Sequence, residues 1–111
     1  MTIDSLRNFG ANVDEGLERC MGMEDFYLEM IELGLSDERF ETLGPQLKEG
    51  KMDEAFETVH ALKGVIGNLA LTPLYSTICD ITEHLRAKDD IDYIPLYEKL
   101  IEQKNTITNL N

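Results

Sequence analysis

The sequence predicts an all-α fold, an antiparallel four-helix bundle preceded by short additional N-terminal helices. Apolar residues recur at spacings of three and four almost throughout, no stretch alternates apolar and polar for long enough to be a strand, and links of two to six residues separate four longer periodic segments. A first short turn runs from Asp4 to Phe9 and ends at Gly10 and Asn12. The second helix begins near Asp14, turns Leu17, Cys20 and Met21 inward, and closes at Gly22. From Glu24 onward Phe26, Met30, Leu33 and Leu35 mark the apolar side of a helix, and Ser36 or Asp37 then caps another that carries Phe40, Leu43 and Leu47. Gly44-Pro45 is a place for that helix to kink or split. Gly50 stops it, Asp53 caps a long helix through Leu69, and Thr72-Pro73 reads as a cap followed by proline at the first helical position. The Thr72 helix carries Leu74, Ile78, Ile81 and Leu85, and a polar Lys88-Asp89-Asp90 turn leads to a last helix with Leu96, Leu100, Ile101 and Ile107.

At 111 residues the chain has room for one domain spanning residues 1–111 and no second. Its 42% apolar and 29% charged residues lie far from the range of disordered chains, so a modest core can form. Twenty-two acids against ten bases leave a net charge of −12; a surface of that sign repels phosphate backbones and anionic lipid, which argues against nucleic acid and membrane as partners. No run approaches ~18 consecutive apolar residues, and Met1 is not followed by a basic then apolar leader, so a cytoplasmic protein is expected. Cys20 and Cys79, far apart and outside any CxxC or Cys/His cluster, read as reduced residues. A single bundle this acidic is expected to be a monomer.

The charges are unevenly spread. Residues 1–50 carry a net −8 and residues 51–111 a net −4, and within the second half Ala61 through Cys79 holds one charged residue, Lys63. Bundle helices normally keep one solvated, charged face, so a run this neutral is either packed deeply on both sides or built to meet a partner. Partner contact is the better reading, because of what surrounds His60. On the Asp53 helix Met52, Ala55, Val59, Leu62, Ile66 and Leu69 form a continuous apolar stripe, and at ~100° per residue His60 falls roughly 125° from its centre, toward solvent. Lys63, Gly64 and Gly67 share its face. Two glycines inside a helix cost ~0.8 to 1.0 kcal/mol each relative to alanine, and the simplest return is access: another surface can approach the imidazole.

Those residue types define a chemistry. Histidine as a free side chain titrates near ~6.5, so close to neutral pH an exposed ring offers a nucleophilic nitrogen. A lysine three residues on is a mobile point charge for an anion on the ring. Phosphoryl transfer asks little more than an in-line nucleophile and compensation of negative charge.

The run His60-Ala61-Leu62-Lys63-Gly64 resembles the signature of histidine-containing phosphotransfer (HPt) domains. The likeness extends to Leu17-Glu18-Arg19, Gly22 and Tyr27, to Gly67-Asn68-Leu69, and to Leu74 through Arg86, so that Val13 to Lys88 is covered. The resemblance implies a stand-alone member of a two-component phosphorelay. His60 would accept a phosphoryl group at Nε2 from an aspartyl phosphate on a response-regulator receiver domain or a hybrid sensor histidine kinase, or donate to one. Lys63 would neutralise the phosphate, and Gly64, Gly67, Glu57, Val65 and Thr82 would belong to the docking face. No cofactor is implied on this chain, Mg2+ being expected on the receiver. Three departures matter: Ala70 stands where many members have glycine, a small-for-small change expected to be harmless; Val65 and Ile66 are bulkier than usual; and Thr82 falls near a position that often carries a Gln or Glu to hold the acceptor ring.

Other chemistries find less support. Glu57 to His60 has the ExxH spacing of di-iron bundles, but those need a second ExxH and two more inward carboxylates, which the chain lacks. Asp80 and His84 are an incomplete metal pair. There is no glycine-cradled serine, reactive-cysteine context or nucleotide-binding loop, so the chain is read neither as a hydrolase nor as the kinase. The alternative is a helical interaction module that binds a receiver or another partner without phosphate chemistry.

Overall fold

The computed structural model describes residues 1–111 and is all-helical, 75% helix with no strand. Seven helices follow one another: α1 (Ile3–Phe9), α2 (Val13–Arg19), α3 (Glu24–Leu35), α4 (Arg39–Lys48), α5 (Met52–Asn68), α6 (Thr72–Arg86) and α7 (Ile94–Thr108). No helix is long and apolar enough to cross a membrane.

Packing of the four last helices is cyclic, α4 against α5, α5 against α6, α6 against α7 and α7 back against α4. Their inward stripes meet in one core: Phe40, Leu43 and Leu47 of α4, Ala55, Val59, Leu62 and Ile66 of α5, Leu74, Ile78 and Ile81 of α6, and Leu100 and Ile107 of α7. Helix α4 continues through Gly44-Pro45 without splitting. Pro45 lies inside it, while Gly44 is buried because the Tyr97 ring of α7 occupies the space a side chain would take; the Tyr97 hydroxyl donates to the Phe40 carbonyl at 2.7 Å.

The N-terminal helices fold over one end of this assembly. Helix α1 starts in a capping box, Thr2 and Ser5 bonding each other's backbone N–H, and ends at Gly10 with φ 113°. Met21, expected inward, is 85% exposed, because Met21 and Gly22 both adopt left-handed backbone (φ 56° and 74°) and swing the chain outward after α2. Of the predicted inward set on α3 only Leu35 is buried, together with Tyr27 and Ile31; Met30 is half-buried, and Phe26 and Leu33 stay exposed at 41% and 60%. Two boundaries also shift, the start of α5 by two residues and that of α6 by one. Lys51 and Leu71 occupy the positions before α5 and α6, so Asp53 and Thr72 lie inside the first turns, and neither cap position makes a side-chain hydrogen bond.

Candidate functional site

Helix α5 buries one stripe and opens the opposite one. His60 and Glu57 are exposed, as expected from their angle to the stripe; Lys63 and Val65 are half-buried at its two edges. Met52, placed in the stripe by periodicity, is 37% exposed in the first turn. Side chains on a helix lean toward its N-terminus, so a residue at position 64 would stand over the turn that carries His60. Gly64 leaves that space clear: a Cβ built on it meets nothing within 4 Å. Lys63 lines a surface groove with Arg19, Gly64, Gly67 and Tyr75.

Gly67 has a different reason, one within the fold. A Cβ there would stand 2.9 Å from Cε1 of Tyr75 on α6, so this glycine seats a ring within the fold while also lining the surface groove. Thr82 is corrected. It is 0% exposed, and its hydroxyl donates to the Ile78 carbonyl at 2.7 Å, so it neither reaches the surface nor supplies a donor to His60. Position 82 lies four residues beyond Ile78 and one beyond Ile81, which places it on the inner side of α6.

What His60 does touch is Phe56, one turn earlier. Their rings stack with centroids 5.7 Å apart and planes 19° from parallel. The Arg86 guanidinium of α6 stands over Phe56, 5.7 Å from its centroid, and pairs with Glu83 at 3.4 Å. The i, i+4 spacing of Phe56 and His60 was present in the sequence as a signal, whereas Arg86 has none, since only the antiparallel placement of α5 and α6 brings it there.

The C-terminal end of α5 is anchored. Arg19 donates to the carbonyls of Gly67 (2.8 Å) and Asn68 (3.1 Å), and is itself paired with Glu15. The Tyr27 hydroxyl donates to the Leu69 carbonyl (2.7 Å) and the Asn12 N–H to that of Ala70 (2.9 Å). The Gly67 and Asn68 carbonyls belong to the last turn, which a helix leaves without i+4 partners, and those of Leu69 and Ala70 to the link that follows. Burial pushes the Tyr27 hydroxyl up to about 12, with Cys20 nearby adding to the rise and Arg19 opposing it. Ala70 itself has φ 58°, the left-handed region that favours glycine. Its exchange for glycine is therefore a change of backbone strain, not the neutral change of size that the sequence suggested.

A chemical inventory of the site is short. It holds an exposed imidazole, a lysine three residues on, open space at Gly64 and a phenyl ring stacked on the imidazole. No group of three or more His, Cys, Asp or Glu side chains is placed to hold a metal ion. Glu57 and His60 face solvent, away from the core, and the Nδ1 atom of His84 meets Asp89 Oδ2 at 2.8 Å. Beside the buried inner face of α3, an apolar groove lined by Phe26, Met30, Leu33 and Val65 runs between α3 and α5. No protein-family model, no curated protein and no solved structure matches the chain.

Proposed function

We propose that this protein is an HPt-type phosphocarrier of a phosphorelay, an antiparallel four-helix bundle of α4 to α7 with accessory N-terminal helices, working in the cytoplasm as a monomer. The observation that carries the reading is Gly64. A glycine inside a helix sacrifices ~0.8 to 1.0 kcal/mol against alanine, and here its Cβ would meet no other group. The fold gains nothing from the missing side chain; a partner approaching His60 does. Lys63, three residues beyond His60 on the same helix, supports the same reading as a mobile cation within reach of a phosphate on the ring.

In the transfer step the in-plane lone pair of His60 Nε2 attacks the phosphorus of an aspartyl phosphate. The N–P bond forms as the acyl O–P bond breaks, and the receiver's aspartate leaves as a carboxylate with that electron pair. Nδ1 keeps its proton through the step and can then release it to water. Lys63 offsets the phosphoryl charge, and the reverse sequence returns phosphate to a receiver. Mg2+ belongs to the receiver in this scheme, and His60 forms the only covalent bond on this chain.

A second reading draws on the apolar groove between α3 and α5, which suits a helical interaction module working without phosphate. His60→Gln separates the two in mixtures with phosphorylated receiver domains. A carrier loses all label and keeps binding; a module was never labelled and binds as before.

A further inference from the structure

We infer that Phe56 is a positioning residue for His60, giving the imidazole a fixed plane that no hydrogen bond supplies. This rests on the phosphotransfer reading and names the device that readies its acceptor. His60 is exposed, and the only side-chain interaction recorded for its ring is the stack on Phe56. Thr82, near the position where a ring-holding Gln or Glu is often found, is buried and bonded to Ile78. An imidazole held by nothing would sweep through solvent about two side-chain torsions. Instead, the ring of Phe56 lies 5.7 Å away and within 19° of parallel, inside the separation at which aromatic pairs attract.

Helix geometry produces the pair. Because side chains lean toward the helix N-terminus, residue 60 settles onto residue 56 one turn back. Phe56 is held in turn: it is half-buried against the core, the Arg86 guanidinium covers its ring at 5.7 Å, and Glu83 lies 3.4 Å from Arg86. A chain of contacts therefore runs from α6 to the acceptor ring. The plane matters because the lone pair of Nε2 lies in it, and in-line displacement requires that lone pair to be aimed at phosphorus.

The test uses the full chain, one phosphorylated receiver that labels it, and the NMR resonances of the His60 ring protons. Phe56→Leu keeps an apolar side chain and removes the ring. The expected result is that the His60 ring protons lose the ring-current displacement caused by Phe56, while the maximal transfer rate falls roughly three- to ten-fold and KM stays within about two-fold. Phe56→Tyr restores both, and Arg86→Gln gives a smaller fall of roughly two-fold. Unchanged ring-proton resonances in Phe56→Leu overturn the stack. An unchanged rate, or a loss confined to KM, overturns the positioning role and makes Phe56 a docking contact. A wild-type protein labelled by no receiver overturns the phosphotransfer reading instead, and the ring-proton comparison tells the two failures apart because it needs no partner.

Discussion

At its C-terminal end α5 is held by the N-terminal helices, with Arg19 on the carbonyls of Gly67 and Asn68, Tyr27 on that of Leu69 and Asn12 on that of Ala70. One turn earlier the same helix carries a glycine with nothing within 4 Å of where its side chain would stand, beside an exposed histidine. The anchored end and the open face draw on the same residue type. Gly67 makes room for Tyr75 inside the fold, and Gly64 leaves open space on the surface. A glycine within a helix is thus a question that only the surrounding atoms answer, and the two answers have opposite consequences for stability.

Substitutions at the anchored end have the largest expected effects. Gly16 lies against the ring of Tyr27, which occupies the space of its missing side chain. Gly16→Ala forces that ring off the Leu69 carbonyl, and a loss of about 1–3 kcal/mol is expected from the denaturant midpoint. Tyr27→Phe leaves the Leu69 carbonyl without its 2.7 Å donor and is expected to lose about 1–2 kcal/mol. It also removes a pH dependence. The folded-state value of Tyr27 is raised from 10.0 to about 12, so the neutral hydroxyl is favoured by folding; that contribution is complete below pH 10 and is lost as pH climbs through about 12. Wild type therefore weakens across that window by on the order of 2 kcal/mol more than Tyr27→Phe does, measured by urea unfolding at a series of alkaline pH values.

The open face responds in the other sense. Gly64→Ala is expected to stabilise the protein by about 1 kcal/mol, the helix propensity difference, while slowing phosphotransfer from a receiver. Gly67→Ala gains the same propensity but presses on Tyr75, so its melting temperature stays at or below wild type. Equal stabilisation by the two alanines would break the comparison between them. The smallest effect belongs to Ala70→Gly. Relief at φ 58° is offset by the greater freedom of glycine in the unfolded chain, leaving a gain of about 0.5 kcal/mol, read from thermal unfolding.

Much of this was legible in the sequence, and the misreadings have physical causes. Three- and four-residue spacing located the helices, and Gly10, Gly22 and Gly50 marked three of the turns with positive φ. The inner face of α3 was misread because two sets of residues share that spacing. Phe26, Met30 and Leu33 compete with Tyr27 and Ile31, Leu35 being buried as expected, and it is the place of Gly16 opposite Tyr27 that favours the second pair. His60 and Lys63 were placed correctly with respect to solvent, since a single strong stripe on α5 fixes the helix rotation. Thr82 could have been assigned to the inside from its neighbours Ile78 and Ile81, but its correspondence to a ring-holding position in a family pattern pointed outward. Phe56 was within reach, one turn from His60. Arg86 was not, because contacts between helices are set by their packing and carry no local spacing.

The central claim is that the open face of α5 exists so that His60 can carry phosphate. The most direct measurement is to incubate the purified protein with phosphorylated receiver domains, map the transferred phosphate, and repeat with His60→Gln. The account predicts one acid-labile, base-stable phosphate on His60, absent from the variant. A folded protein that binds receivers yet gains no phosphate from any of them, or gains one that His60→Gln retains, would contradict it.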